Sequence, residues 1–144
     1  MVELYRDGAA AAALATPERA AFRRLAGAGA KNRAGLNRLL GEEPITGEDF
    51  TVRIPAAVLR SRGRTLALAA RFERLLAGLY LSGVQSIADP PTRLLIGRHL
   101  AAATRDLALV RGLRGPRLDL EPPRPLSVEY VGIQFDRYLA IPGA

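Results

Sequence analysis

The sequence predicts an all-α chain: an antiparallel four-helix bundle with a short first helix, then a C-terminal extension of Pro-rich strap and short helix. Three observations carry that expectation. Apolar residues recur at three- and four-residue steps through separate segments, the period of a helix with one buried stripe. Pro, Gly and Asp stand between those segments, where helices start and stop. Over 144 residues, 49% hydrophobic and 24% charged is the balance of a globular chain large enough for one core. Residues 1–115 are expected to form the bundle, and 116–144 an extension packed on it or on a partner.

The elements follow in chain order. A short first helix is read over Val2–Ala15. Thr16-Pro17-Glu18 then gives an N-cap, a Pro at the first helical position and an acid in the first turn. The second helix runs from there to about Leu40, with Phe22, Leu25, Gly29, Asn32, Leu36 and Leu39 on its inward seam, and Gly41 as its stop. GEEPITGEDFTVRI reads as a long acidic loop. Pro55 opens a third helix to Ile87, with Leu66, Ala69, Glu73, Leu76, Tyr80 and Gly83 on its seam.

Asp89-Pro90-Pro91 breaks the chain, and a fourth helix begins near Thr92. Its seam is Ile96, His99, Ala103, Asp106, Val110 and Leu113, and Gly115-Pro116 ends it. Beyond lies an extended Pro-rich strap. Ser127 caps a last short helix with Val128, Val131, Phe135 and Tyr138 as its apolar face. The alternation of Val131, Ile133 and Phe135 leaves a strand as the less favoured reading there.

Composition excludes several classes of function. There is no cysteine, hence no disulfide framework and no thiolate metal site. The N-terminal stretch lacks the basic and greasy regions of a signal peptide, and no apolar run approaches the roughly 20 residues that span a bilayer. A cytoplasmic protein without a membrane span is expected. The net charge of +7 invites a nucleic-acid reading. Lys31 is the only lysine, however, and the arginines are spread along every segment with few aromatics between them. Nucleic-acid binding is therefore disfavoured. No phosphate-binding Gly loop, dinucleotide fingerprint or nucleophile elbow is present, and Ser61, Ser82, Ser86 and Ser127 have no neighbouring histidine in sequence. Neither an enzyme nor a cofactor is expected.

The third and fourth helices carry a family-like pattern. Glu73 is followed seven residues later by Tyr80, and then by the Asp89-Pro90 turn. With GEDFTVRIP before the third helix and PPRPLSVEY after the fourth, the chain resembles the bacterial ferritin-like domain family of desiccation- and stress-associated proteins. That resemblance implies a di-iron bundle, which needs a Glu from each of two helices and a Glu-x-x-His pair from each of the other two. The corresponding positions here are Gly29 and Asn32, then Glu73, then Ala103 and Asp106. The first helix offers no carboxylate between Ala9 and Ala15. One surviving glutamate cannot hold two irons, so no metal is expected.

Two sets of residues remain as candidates. Asn32, Glu73, Tyr80, His99 and Asp106 share inward seams and form a candidate polar pocket. The plainer alternative is a buried hydrogen-bonded cluster. The second set is an interface. A first helix of about 21 Å, at 1.5 Å per residue, leaves part of a bundle groove uncovered. Gly27 and Gly29 suggest a close helix approach there, and Val131, Phe135 and Tyr138 an apolar cover. Arg60, Arg62 and Arg64 sit in the first turns of the third helix, against its dipole. Either that helix starts later than Pro55 or an acidic partner offsets them, with Glu42, Glu43, Glu48 and Asp49 as candidates. The leading expectation is a metal-free ferritin-like subunit that assembles with itself or another protein. The runner-up is a small-molecule binder or redirected enzyme at the vacated centre, and a basic nucleic-acid binder comes third.

Overall fold

The computed structural model describes residues 1–40, 51–115 and 121–140. The all-α class holds. Among the described residues seven helices account for nearly all regular structure, with one two-residue strand pair. None of these helices is long and apolar enough to cross a membrane. The chain divides into two compact units, residues 1–62 with 134–144, and residues 63–133. These boundaries are drawn differently from a division after residue 115.

The first unit opens with α1 (Val2–Arg6) and α2 (Gly8–Ala13), so the single helix expected over Val2–Ala15 is two. The break falls at Asp7, whose ψ of 127° is extended and whose carboxylate accepts the Ala10 N–H at 2.9 Å. A capping aspartate followed by glycine favours restarting a helix over continuing one. α3 (Thr16–Leu40) follows, starting at the predicted cap residue, one residue earlier than the predicted start at Pro17. Ala15 occupies the cap position, and Glu18 reaches back to accept its N–H at 2.8 Å, as the third-position acid of a capping box does. Leu4, Tyr5, Leu14, Phe22 and Leu25 are buried, and the Tyr5 ring meets Phe22 edge-on at 4.9 Å.

The predicted third helix is also divided. Pro55 caps α4 (Ala56–Leu59), the chain turns at Arg60–Ser61, and α5 (Arg62–Ser86) restarts. The long helix begins later than Pro55, at Arg62, with Arg62 and Arg64 still in its first turn. Arg62 pairs with Glu18, which is not one of the predicted acidic partners. The acidic residues Glu42, Glu43, Glu48 and Asp49 lie outside the described residues. What was read as the end of a loop contains β1 (Thr51–Val52), which pairs antiparallel with β2 (Leu139–Ala140), Val52 opposite Leu139.

In the second unit, α5 packs closely on α6 (Pro90–Leu113). Asp89 caps α6 by accepting the Thr92 N–H at 2.8 Å, with Pro90 and Pro91 in positions that need no donor. A Cβ on Gly83 of α5 would stand 3.1 Å from Ile96 Cγ2 of α6, and one on Gly97 would stand 3.9 Å from Val84, so small residues let these two helices approach. The strap then docks on α5. Leu126 N–H donates to the Gly78 carbonyl at 3.1 Å, and a Cβ on Gly78 would lie 2.7 Å from Arg124 O and from Leu126.

α7 (Val128–Asp136) is helical, capped by the Ser127 hydroxyl, which accepts the Tyr130 N–H at 3.2 Å. Its predicted apolar face needs correction. Val131 is buried and Phe135 and Tyr138 are half-buried, but Val128 is 72% exposed and Gln134 is buried in its place. The buried stripe is centred on Val131 and Gln134, rotated toward Gln134 from where the apolar spacing puts it.

Candidate functional site

The α5–α6 pair holds four of the five polar-pocket candidates. Glu73 and Tyr80 stand two turns apart on α5. His99 and Asp106 stand two turns apart on α6, with Ala103 between them on the same buried face. Glu73, His99 and Asp106 are buried. The rings of Tyr80 and His99 stack with centroids 5.6 Å apart and planes 30° apart. Asn32 lies half-buried on α3, in the other unit.

The protonation of this cluster follows from its surroundings. Burial holds the His99 imidazole below the ordinary histidine range, so it is neutral at pH 7. Its Nε2 is buried and has no hydrogen-bond partner among the described residues. Burial, followed by the nearby Glu73 carboxylate, raises Tyr80, which keeps its phenol protonated. Asp106 accepts from Arg105 Nε at 3.1 Å, and Arg105 is largely exposed. The helix pair therefore sets a protonated phenol against a neutral imidazole, with Glu73 near the tyrosine, while Asp106 pairs with Arg105 two turns from His99.

The donor set does not fit a di-iron carboxylate centre. At the positions that the ferritin-like resemblance would assign to iron ligands, Gly29 and Ala103 carry no donor atom and Asn32 carries an amide. Among the described residues no three His, Asp or Glu side chains gather as a ligand set. Iron in this setting needs several carboxylate oxygens.

The interface candidates behave differently from one another. A Cβ on Gly29 would stand 2.9 Å from Val2 Cγ2, so this glycine does mark a close approach, to α1. Gly27 is exposed, and among the described residues nothing comes within 4 Å of a Cβ placed there. Arg60 caps the C-terminus of α4, where its charge favours the dipole, and Arg64 is exposed and engaged in an interaction of its own. Arg62 donates from Nε to Glu18 Oε1 at 2.8 Å. Burial tends to raise the Glu18 carboxyl. The Arg62 hydrogen bond, the Ala15 N–H and the Arg62 charge together outweigh that and hold it below the ordinary glutamate range.

Three features were not singled out in the sequence. Glu18 carried a visible signal, an acid three residues into a helix, but nothing there indicated Arg62 as its partner. Gly78 gave no signal at all, because its reason is the strap arriving from residue 126. The third is a cleft of about 450 Å³ lined by Glu3, Arg6, Asp7, Thr51, Val52, Ile54 and Leu59. Its walls come from α1, β1 and α4, and no local pattern announces that meeting.

No family model matches this chain, and neither the curated proteins nor the solved structures contain a significant match.

Proposed function

We propose that this protein is a metal-free, ferritin-like helical subunit that works by assembly, with a second copy of itself as the first partner. The observation that carries the reading is the outer face of α7. Ile133 is 58% exposed on the side of the helix turned away from buried Val131 and Gln134, and Tyr130, 49% exposed, and Val128 flank the buried stripe. A nine-residue helix with apolar side chains on both faces has more apolar surface than its own fold uses. Aromatic and branched side chains of this kind supply the anchors of helix–helix interfaces. The ferritin-like reading rests on the resemblance carried by Glu73, Tyr80 and Asp89-Pro90 at family spacing. The metal-free assignment is supported by Gly29 and Ala103 at ligand positions.

Light scattering on the eluting peak is the direct test. A species larger than the 15.5 kDa monomer is expected, with Ile133→Glu reducing it to monomer while leaving the helical circular dichroism intact. A monomer at every concentration, bringing no partner from its native source that Ile133→Glu releases, sinks the assembly reading. About two irons per purified chain would overturn the metal-free one.

A second reading rests on His99. A buried imidazole nitrogen with no partner, stacked on a tyrosine, is a recognition element for a small hydrogen-bond donor. A ligand at this centre would shift the His99 ring resonances, and His99→Phe would abolish its binding.

A further inference from the structure

The cleft between α1, β1 and α4 has as one wall the edge of β1 that faces away from β2, unpaired among the described residues. Arg53 N–H donates to the Tyr138 carbonyl at 2.8 Å, which makes 53 and 138 a hydrogen-bonded pair in the antiparallel ladder. Such pairs alternate with pairs whose main-chain groups point away from each other. Val52, opposite Leu139, is in the second class, so its N–H and C=O face outward from β2. By the same alternation Ile54 faces the same way, and its position before Pro55 keeps it extended. Both residues line the cleft, and among the described residues their main-chain groups have no hydrogen-bond partner.

The rest of the lining defines what would fit. Val52 and Ile54 are two apart, so their side chains share one face of the strand, and Leu59 adds to the apolar side. The α1 side carries Glu3, Arg6 and Asp7, one net negative charge in a chain whose total is +7. Glu3 and Arg6 are exposed and make no ion pair with each other among the described residues, although they stand one turn apart. A volume of about 450 Å³ accommodates a few residues of extended chain rather than a folded domain.

We propose that this cleft binds an extended peptide by strand addition to the outer edge of β1, with apolar residues alternating with basic ones. Main-chain bonds to Val52 and Ile54 supply register-independent affinity. The apolar face of the peptide meets Val52, Ile54 and Leu59, and its basic face meets Glu3 and Asp7. The site is separate from the exposed face of α7 and does not depend on self-assembly.

The test uses the full chain, 15N-labelled, and an acetylated, amidated pentapeptide alternating valine with lysine. In the free protein the Val52 and Ile54 amides are expected to exchange faster than that of Arg53, and to become protected when the peptide is added. The same peptide with glutamate for lysine should bind about tenfold more weakly, one or two surface ion pairs being lost. Val52→Pro deletes the outward donor while the β1–β2 bonds use residues 51 and 53, and should weaken the lysine peptide about tenfold. If that variant does not fold, Glu3→Lys, on an exposed side chain, should remove the preference for lysine over glutamate. Equal binding of the two peptides overturns the proposal. So does no response at millimolar peptide, or a Val52 amide already protected in the free protein, including by a second copy of the chain.

Discussion

The Tyr80 ring on α5 lies over the His99 ring on α6, 5.6 Å away and 30° from parallel, while His99 Nε2 is buried without a hydrogen bond among the described residues. The stack is an apolar contact made by a titratable group. Burial lowers the folded-state pKa of His99 below its value of about 6.5 in an unfolded chain. The contribution of His99 is therefore complete above pH 6.5. It is lost as pH falls from there toward the folded-state value, because only the unfolded chain takes up the proton. Within that window each pH unit should cost about 1.4 kcal/mol. His99 is the only histidine, so chemical denaturation between pH 5 and 7 isolates the effect. His99→Phe should flatten the profile, retain the stack and gain about 1 kcal/mol at pH 7 by removing a buried unsatisfied nitrogen. A wild-type profile that is already flat would contradict this account.

Glu18 uses one carboxylate oxygen for the Ala15 N–H and the other for Arg62. Glu18→Ala should cost about 1 to 2 kcal/mol, the loss of a helix cap plus a half-exposed ion pair. Glu18→Gln should recover part of it, since an amide oxygen still accepts the Ala15 N–H. The lowered carboxyl adds an acid limb. Its stability is present above the ordinary glutamate range and is lost as pH falls through the folded-state pKa. Glu18→Gln should remove that limb in melts between pH 3 and 5.

Gly78→Ala and Gly29→Ala should separate two kinds of glycine. At Gly78 a methyl group meets the Arg124 carbonyl as well as the Leu126 side chain, and a main chain held at Leu126 N–H cannot step aside cheaply. The expected cost is about 1 to 3 kcal/mol, with faster exchange of the Leu126 amide. At Gly29 the obstacle is a single methyl of Val2, a side-chain atom at the first residue of α1 and not a hydrogen-bonded main chain. There the clash is set against the gain of about 1 kcal/mol from replacing a helical glycine, so the melting temperature should barely move.

Asp7→Ala should cost about 1 kcal/mol, measured by urea denaturation, because it removes the acceptor for the Ala10 N–H where α2 begins. Asp7→Asn should restore most of it, since asparagine caps equally well. Equal losses for both would place the contribution of Asp7 in its charge and not in the cap.

The long helices were legible because their ends are chemical. Pro17 with Glu18, Asp89 with Pro90-Pro91, and Gly115 at φ +100° each satisfy or interrupt backbone hydrogen bonding locally. The first helix misled because AAAAALA contains no polar residue to mark a face, and alanine spacing cannot show where a helix breaks. The Asp7-Gly8 pair was the available clue. The face of α7 misled for another reason. With apolar residues at 128, 130, 131, 133 and 135, apolar spacing admits several stripes, and only packing chooses among them. Of the polar candidates, Tyr80 and His99 do come together, because a constant seam on each of two packed helices predicts contact. Asn32, on α3, belongs to a different unit, which seam positions do not disclose.

The pairing of Val52 with Leu139 has a consequence for biosynthesis. All of residues 53–138 must be made between the two strands. At ~5–20 residues per second a ribosome needs on the order of ten seconds to cover that interval. During it the nascent chain shows β1 with both edges unpaired, and α1, α2, α3 and α4 must hold the first unit without its last strand. A strand of two residues is a short target for mispairing over such a wait.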